Sequence, residues 1–271
     1  MSEGTVTSAD GTTIAYTAWG AGDPIVIIDG ATAYRATNPL NQETAGLLAD
    51  EFLVINYDRR GRGESGDTLP YAGEREFEDL QAIIEQAGQG RPATVFGWSS
   101  GGNLALNAAE HGVPIARLAL FEPNAAVDDA RPPLPGDYVA RLDAAIADGR
   151  PGDAVAVFLT AAAMVPEGAV AGMREQDFWA GLEAVAPTIA YDGRQVGDTL
   201  SGKPLRPELW QNIGIPVLVM HGIGTWPALA AGSRAIAAHL PTSTLTPVPG
   251  EDHSTTPDVL AAALRAFIKE N

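Results

Sequence analysis

Apolar positions in this chain fall into short runs. Residues 24–29, 52–57, 93–97 and 115–122 are β-branched or apolar stretches of strand length that end near Gly, Asp or Glu. Strands buried on both faces and feeding loops read this way. Residues 41–49, 74–87 and 102–110 lie between them as intervening helices. Short strands alternating with helices predict a mostly parallel sheet covered on both sides. Residues 5–8 and 12–18, placed around Asp10-Gly11, predict an opening hairpin. After Glu122 the texture changes. Pro123, Pro132, Pro133 and Pro135 break the alternation, and about 70 residues follow that hold helical patterns but no good strand. Helices are expected there at 137–147, 152–164 and 176–185, in an insertion that reads as a lid. The sheet pattern resumes at 215–221, followed by a helix at 228–240, a strand at 244–249 and a closing helix at 258–269. Residues 1–123 and 206–271 are therefore expected to form the core, and 124–205 a helical cap.

Composition narrows the functional classes. Of 271 residues, 45% are apolar and 19% charged, a globular balance with no disordered stretch implied. The net charge of −17 repels phosphate backbones and anionic membrane surfaces, so neither nucleic acid nor membrane is an expected partner. The absence of cysteine excludes disulfides, a thiolate nucleophile and a Cys-based metal site. The first ten residues carry neither a basic region nor an apolar run, and no later run approaches the roughly 20 residues a membrane span needs. A cytoplasmic location is the expectation, with no metal and no cofactor.

The strongest local signal is Gly97-Trp98-Ser99-Ser100-Gly101, between the strand ending at Phe96 and the helix opened by Gly102. In this G-x-S-x-G pattern a tight bend raises the serine oxygen while flanking glycines let neighbouring backbone pack closely. Ser99 is the central residue; Ser100 would have Trp98 rather than glycine on one side. A serine hydroxyl needs a base to remove its proton, and histidine suits the task near neutral pH. Of the four histidines, His111 beside Gly112 reads as a helix terminus. His239 reads as a surface residue, and His221, ending a strand, is a minor candidate. His253 lies in the loop 250–253 between the last strand and the final helix, where chain order would deliver a late imidazole to the nucleophile.

These stretches, with Asp58-Arg59-Arg60-Gly61-Arg62-Gly63-Glu64-Ser65 and Leu120-Phe121-Glu122-Pro123, resemble the α/β-hydrolase superfamily over nearly the whole chain. More narrowly, the chain is similar to bacterial hydrolases of unassigned substrate with a serine-rich elbow and a Glu-Pro pair after the sixth strand. The resemblance implies an eight-stranded, mostly parallel sheet flanked by helices, with the helical lid inserted after strand six. Relatives place the triad acid after the seventh strand, but the stretch His221-Gly222-Ile223-Gly224-Thr225-Trp226-Pro227 has no carboxylate. Many haloalkane dehalogenases take it from the end of the sixth strand, which here is Glu122, with Asp252, Asp128 or no acid at all as the alternatives. The acid holds the imidazole in its working tautomer. Oxyanion donors are expected from the amides of Ser100 and Ala31. Asp29 stands where relatives often have histidine, and reads as an anchor for the loop. Trp98, Phe158, Trp179 and Trp226 are candidate substrate-binding residues, with Met164, Met173 and Phe178 as further apolar residues able to face the pocket.

Gly61-Arg62-Gly63-Glu64-Ser65-Gly66 matches a dinucleotide fingerprint, but no helix pattern follows it, and the family makes it a structural turn. The implied reaction is hydrolysis of a carboxylic ester of a small, largely apolar substrate. The alternatives are acyl transfer to peroxide, as in perhydrolases, and a non-catalytic binding protein of the same fold. Serine at the nucleophile position speaks against dehalogenase and epoxide hydrolase chemistry. Oligomeric state stays open, a homodimer among the options.

Overall fold

A computed structural model describes residues 1–270. Its centre is one eight-stranded sheet in the order β1-β2-β4-β3-β5-β6-β7-β8. The opening hairpin pairs β1 (Ser2–Thr7) with β2 (Thr13–Trp19), and β2 runs antiparallel to β4 (Phe52–Tyr57). From β4 onward all pairings are parallel, through β3 (Asp23–Ile28), β5 (Ala93–Trp98), β6 (Ile115–Phe121), β7 (Val217–Gly224) and β8 (Ser243–Glu251).

Successive strand residues alternate between two apolar layers, as a period of two requires. Val26, Ile28, Ile55, Val95, Leu118, Leu120 and Val219 pack on one side. There they meet α2 (Gly73–Ala82), α3 (Ser100–Glu110) and α9 (Pro227–His239). Ile25, Ile27, Val54, Phe96, Ala119, Phe121 and Met220 face the other, against α1 (Pro39–Leu48) and α10 (Pro257–Glu270). Runs that looked uniformly apolar are thus two faces read together. The helix expected at 74–87 continues past Ala82 only as a wider turn, Ile83–Ala87.

Between β6 and β7, which are neighbours in the sheet, the chain is helical. It forms α4 (Tyr138–Ala147), α5 (Pro151–Val157), α6 (Glu167–Met173), α7 (Trp179–Val185) and α8 (Ile189–Val196). These helices share an apolar cluster of their own that includes Tyr138, Leu142, Val155, Leu159, Trp179 and Ile189. The sequence pattern does not predict α6 or α8. Both are short and contain glycine, which weakens a helical signal. Among the described residues no helix is long and apolar enough to cross a membrane.

Candidate active site

Ser99 sits on the bend between β5 and α3 with φ 54° and ψ −125°. Backbone crowds both flanking glycines. A Cβ at Gly97 would lie 2.6 Å from the Gly101 carbonyl oxygen, and one at Gly101 would lie 2.5 Å from that of Ile28. Only glycine fits at either position, so the spacing read from sequence has a steric cause. The Ser99 amide donates to Phe121 O (3.0 Å), tying the bend to the end of β6.

Glu122 follows directly on β6 and is fully buried. Its Oε1 accepts the Gly222 amide (2.9 Å), and its Oε2 lies 2.5 Å from His253 Nδ1. The strand end and the late loop therefore converge, 131 positions apart. Asp252 instead accepts from Trp226 Nε1 (3.0 Å), and Asp128 is exposed and accepts its own loop's Ala130 amide. Ser99, Glu122 and His253 are three of the eight non-glycine residues with positive φ among the described residues. Such backbone typically costs about 1–3 kcal/mol per residue and gathers at functional sites.

Ser99 and His253 line one cavity of about 440 Å³. Among the described residues the Ser99 hydroxyl is hydrogen-bonded to Asn124 Nδ2 (3.3 Å) and not to the imidazole. Nucleophile–base hydrogen bonds commonly close only when substrate is in place. Trp98 meets the imidazole edge-on (centroids 6.1 Å apart) and Trp226 stacks on it (6.5 Å). Both tryptophans line the cavity, as do Phe158, Met164, Ala31 and Ser100. Trp179 does not line it. It packs within the helical segment, its Nε1 donating to Glu183 (2.9 Å) and its ring beneath Arg174. Phe178 is exposed, and Met173 packs against the helical cluster. The other histidines lie outside the cavity lining and bond backbone carbonyls: His111 that of Asn107, His221 that of Gly222, and His239 that of Leu209. His239 is half-buried rather than on the surface.

The loop after β3 is fixed from below. Asp29 is buried and accepts from Asn38 (2.6 Å), Asn41 (2.7 Å) and Asn56 (3.1 Å). Burial pushes its carboxyl above the usual range, against those three hydrogen bonds. It anchors the loop. The segment Gly61–Gly66 closes on itself through Gly61 N to Gly66 O (2.9 Å), and the next helix begins only at Gly73. It is a structural turn.

The sequence reading missed a buried ionic cluster that contacts Ser100 and the loop after β3. Asp192 of α8 takes Arg59 Nη1 (2.5 Å), Arg62 Nη2 and the Ser100 hydroxyl (2.7 Å). Arg59 also pairs doubly with Glu76, and Arg62 donates to Gly30 O (2.7 Å). One carboxylate thus reaches Ser100, an expected oxyanion donor, directly, and Gly30, the neighbour of the other expected donor Ala31, through Arg62. Burial would raise the Asp192 carboxyl, but the Arg59 and Arg62 charges outweigh it and hold it below the ordinary range. The signal available in sequence was four arginines within residues 59–75 directly after a buried strand, in a chain with few basic residues. Buried cations demand buried acids. Asp192→Asn leaves Arg59 and Arg62 with Glu76 alone, and is expected to lower unfolding free energy by about 3 kcal/mol, measured by denaturant titration.

The Ser99 bend, on a doubly covered and mostly parallel sheet, and the His253 imidazole, held by the buried Glu122 carboxylate, line one cavity. The alpha/beta hydrolase family profile matches residues 20–263, and the chain belongs to that family. It is similar to an alpha/beta hydrolase from Sphaerobacter thermophilus, with 46% identity, TM-score 0.86, and coverage of 98% of this chain and 100% of that one. More distant likenesses include a thermophilic esterase from Thermogutta terrifontis (22% identity, TM-score 0.71, 100% and 99% covered). An enol-lactonase from Burkholderia xenovorans is another (22%, TM-score 0.67, 98% and 100%). These two share the fold. A comparison with curated proteins gives no match.

Proposed function

We propose that this protein is a serine hydrolase that cleaves a carboxylic ester of a small, largely apolar substrate through a Ser99–His253–Glu122 triad. The observation that carries this reading is the 2.5 Å contact of the buried Glu122 carboxylate with His253 Nδ1, which frees Nε2 toward the cavity that Ser99 lines. Ser99 Oγ attacks the acyl carbon as its proton passes to His253, while Glu122 steadies the imidazolium. The amides of Ala31 and Ser100, the latter at the start of α3, receive the oxyanion, where the helix dipole adds to the hydrogen bonds. The imidazolium then protonates the departing alkoxide, and water activated by His253 releases the acid from the acyl-enzyme. Residues 124–205 act as the cap, and the cavity volume suits one small ligand.

A fluorophosphonate probe followed by peptide mapping tests the reading. Wild type is expected to be labelled at Ser99 and to hydrolyse short-chain esters, and His253→Ala to lose both. An unlabelled Ser99 would mean a binding protein, whereas peracid formation exceeding hydrolysis in peroxide would move the acceptor from water to peroxide.

A further inference from the structure

Five arginines are buried in the described residues, and four of them meet carboxylates. Arg35 pairs with Asp58 and Glu64, Arg59 with Glu76 and Asp192, Arg60 with Asp79 and Asp10, and Arg62 with Asp192. Arg131 is the exception. Only 7% exposed, it donates from Nε to Pro132 O (3.2 Å) and from Nη2 to Ala161 O (3.1 Å), and among the described residues it has no acidic partner. Among the described residues its Nη1 has no acceptor. Arg131 lines the same cavity as Ser99, beside the apolar Leu134, Phe158 and Leu200.

Taking a cation out of water without a counter-ion costs several kcal/mol, and a carbonyl's partial charge returns only part of it. Burial pulls the Arg131 guanidinium below its ordinary value, yet an arginine stays charged. The acids at the cavity are already engaged: Arg59 and Arg62 face Asp192 and Glu76, two charges against two, and Glu122 takes the Gly222 amide and the His253 imidazole. Arg131 is therefore a cavity cation with no acidic partner among the described residues, in a chain whose net charge is −17. A planar fork of donors with a free edge matches a carboxylate.

Building on the serine-hydrolase reading, we propose that the substrate is an ester bearing a carboxylate, which Arg131 binds while Ser99 attacks the ester carbonyl. The protein then supplies one positive charge for the one negative charge the ligand brings, and the apolar wall between them holds the connecting methylenes. An uncharged ester would leave the guanidinium as unpaired in the complex as it is without ligand.

The test compares charged and neutral esters of matched shape on wild type, Arg131→Gln and Arg131→Lys. Monomethyl adipate against methyl hexanoate places the carboxylate on the acyl side, and acetoxybutyrate against butyl acetate places it on the leaving group. Wild type is expected to favour the charged member of at least one pair in kcat/KM, and Arg131→Gln to cut that preference about 100-fold, with Arg131→Lys between them. If Arg131 serves only to tie two carbonyls, both members of each pair lose activity alike and the preference stands; that outcome overturns the proposal, as does a wild-type preference for neutral esters in both pairs. Adipate binding, read as a rise in melting temperature, gives a measure independent of turnover. It is expected for wild type and lost in Arg131→Gln, while wild type unmoved by saturating adipate counts against the site. A Ser99 that resists the fluorophosphonate while adipate still stabilises wild type through Arg131 would sink the hydrolase reading and leave the anion site standing.

Discussion

Ser99→Ala is expected to lower kcat for ester hydrolysis by about 10⁵–10⁶-fold, to the level set by oxyanion donors and binding alone. Alanine keeps the Cβ in place, so the bend at φ 54° and its crowded glycines carry the same strain with or without the hydroxyl. The lost contact is the 3.3 Å hydrogen bond from Asn124 Nδ2, a net change of about 1 kcal/mol or less. The melting temperature should therefore move by only a few degrees while turnover collapses. That combination distinguishes a chemical loss from unfolding. A variant that keeps a tenth or more of wild-type turnover would show that another group carries the reaction.

Glu122→Gln is expected to lower kcat by about 10³–10⁴-fold. The two oxygens of Glu122 face different donors: Oε1 takes the Gly222 amide at 2.9 Å, and Oε2 meets His253 Nδ1. A glutamine can satisfy Gly222 only with its oxygen, which turns its NH2 toward Nδ1. Nδ1 must then accept, the proton moves to Nε2, and the nitrogen that should take the serine proton is already occupied. Steady-state kinetics beside a thermal melt check this. Because glutamine preserves volume in a site with no solvent exposure, folding should survive far better than turnover. Near-normal kcat would reassign the orienting role, and Asp252, already engaged by Trp226 Nε1, is the nearest acid in sequence.

Much of the core was readable from local pattern. β4 appears at the residues its apolar run marks, and the hairpin turns at Asp10-Gly11. The elbow is legible because its steric demand falls on Gly97 and Gly101, each two residues from Ser99, and His253 because chain order restricts where a late imidazole can arrive. Glu122 was inferred from its place at a strand end, and it is the carboxylate that meets the imidazole. The helical segment was harder. Trp179 sits at helical spacing like Phe158, yet one packs inward and the other lines the cavity. Helical period alone does not say which stripe meets a neighbour and which meets a ligand. The helix α8 was invisible beside Gly193, and with it Asp192.

The sequence by itself determined the features whose cause is local: alternation that makes strands, glycines that permit a sharp bend, and a serine at its apex. Tertiary structure decided every pairing between remote segments, including Glu122 with His253 over 131 positions and Arg59 with Asp192 over 133. It also decided that Arg131 would have no acidic partner among the described residues. The physical reason is range. Steric and dihedral preferences act between residues a few bonds apart, whereas a buried charge is settled by whatever partner the folded chain brings within hydrogen-bonding distance.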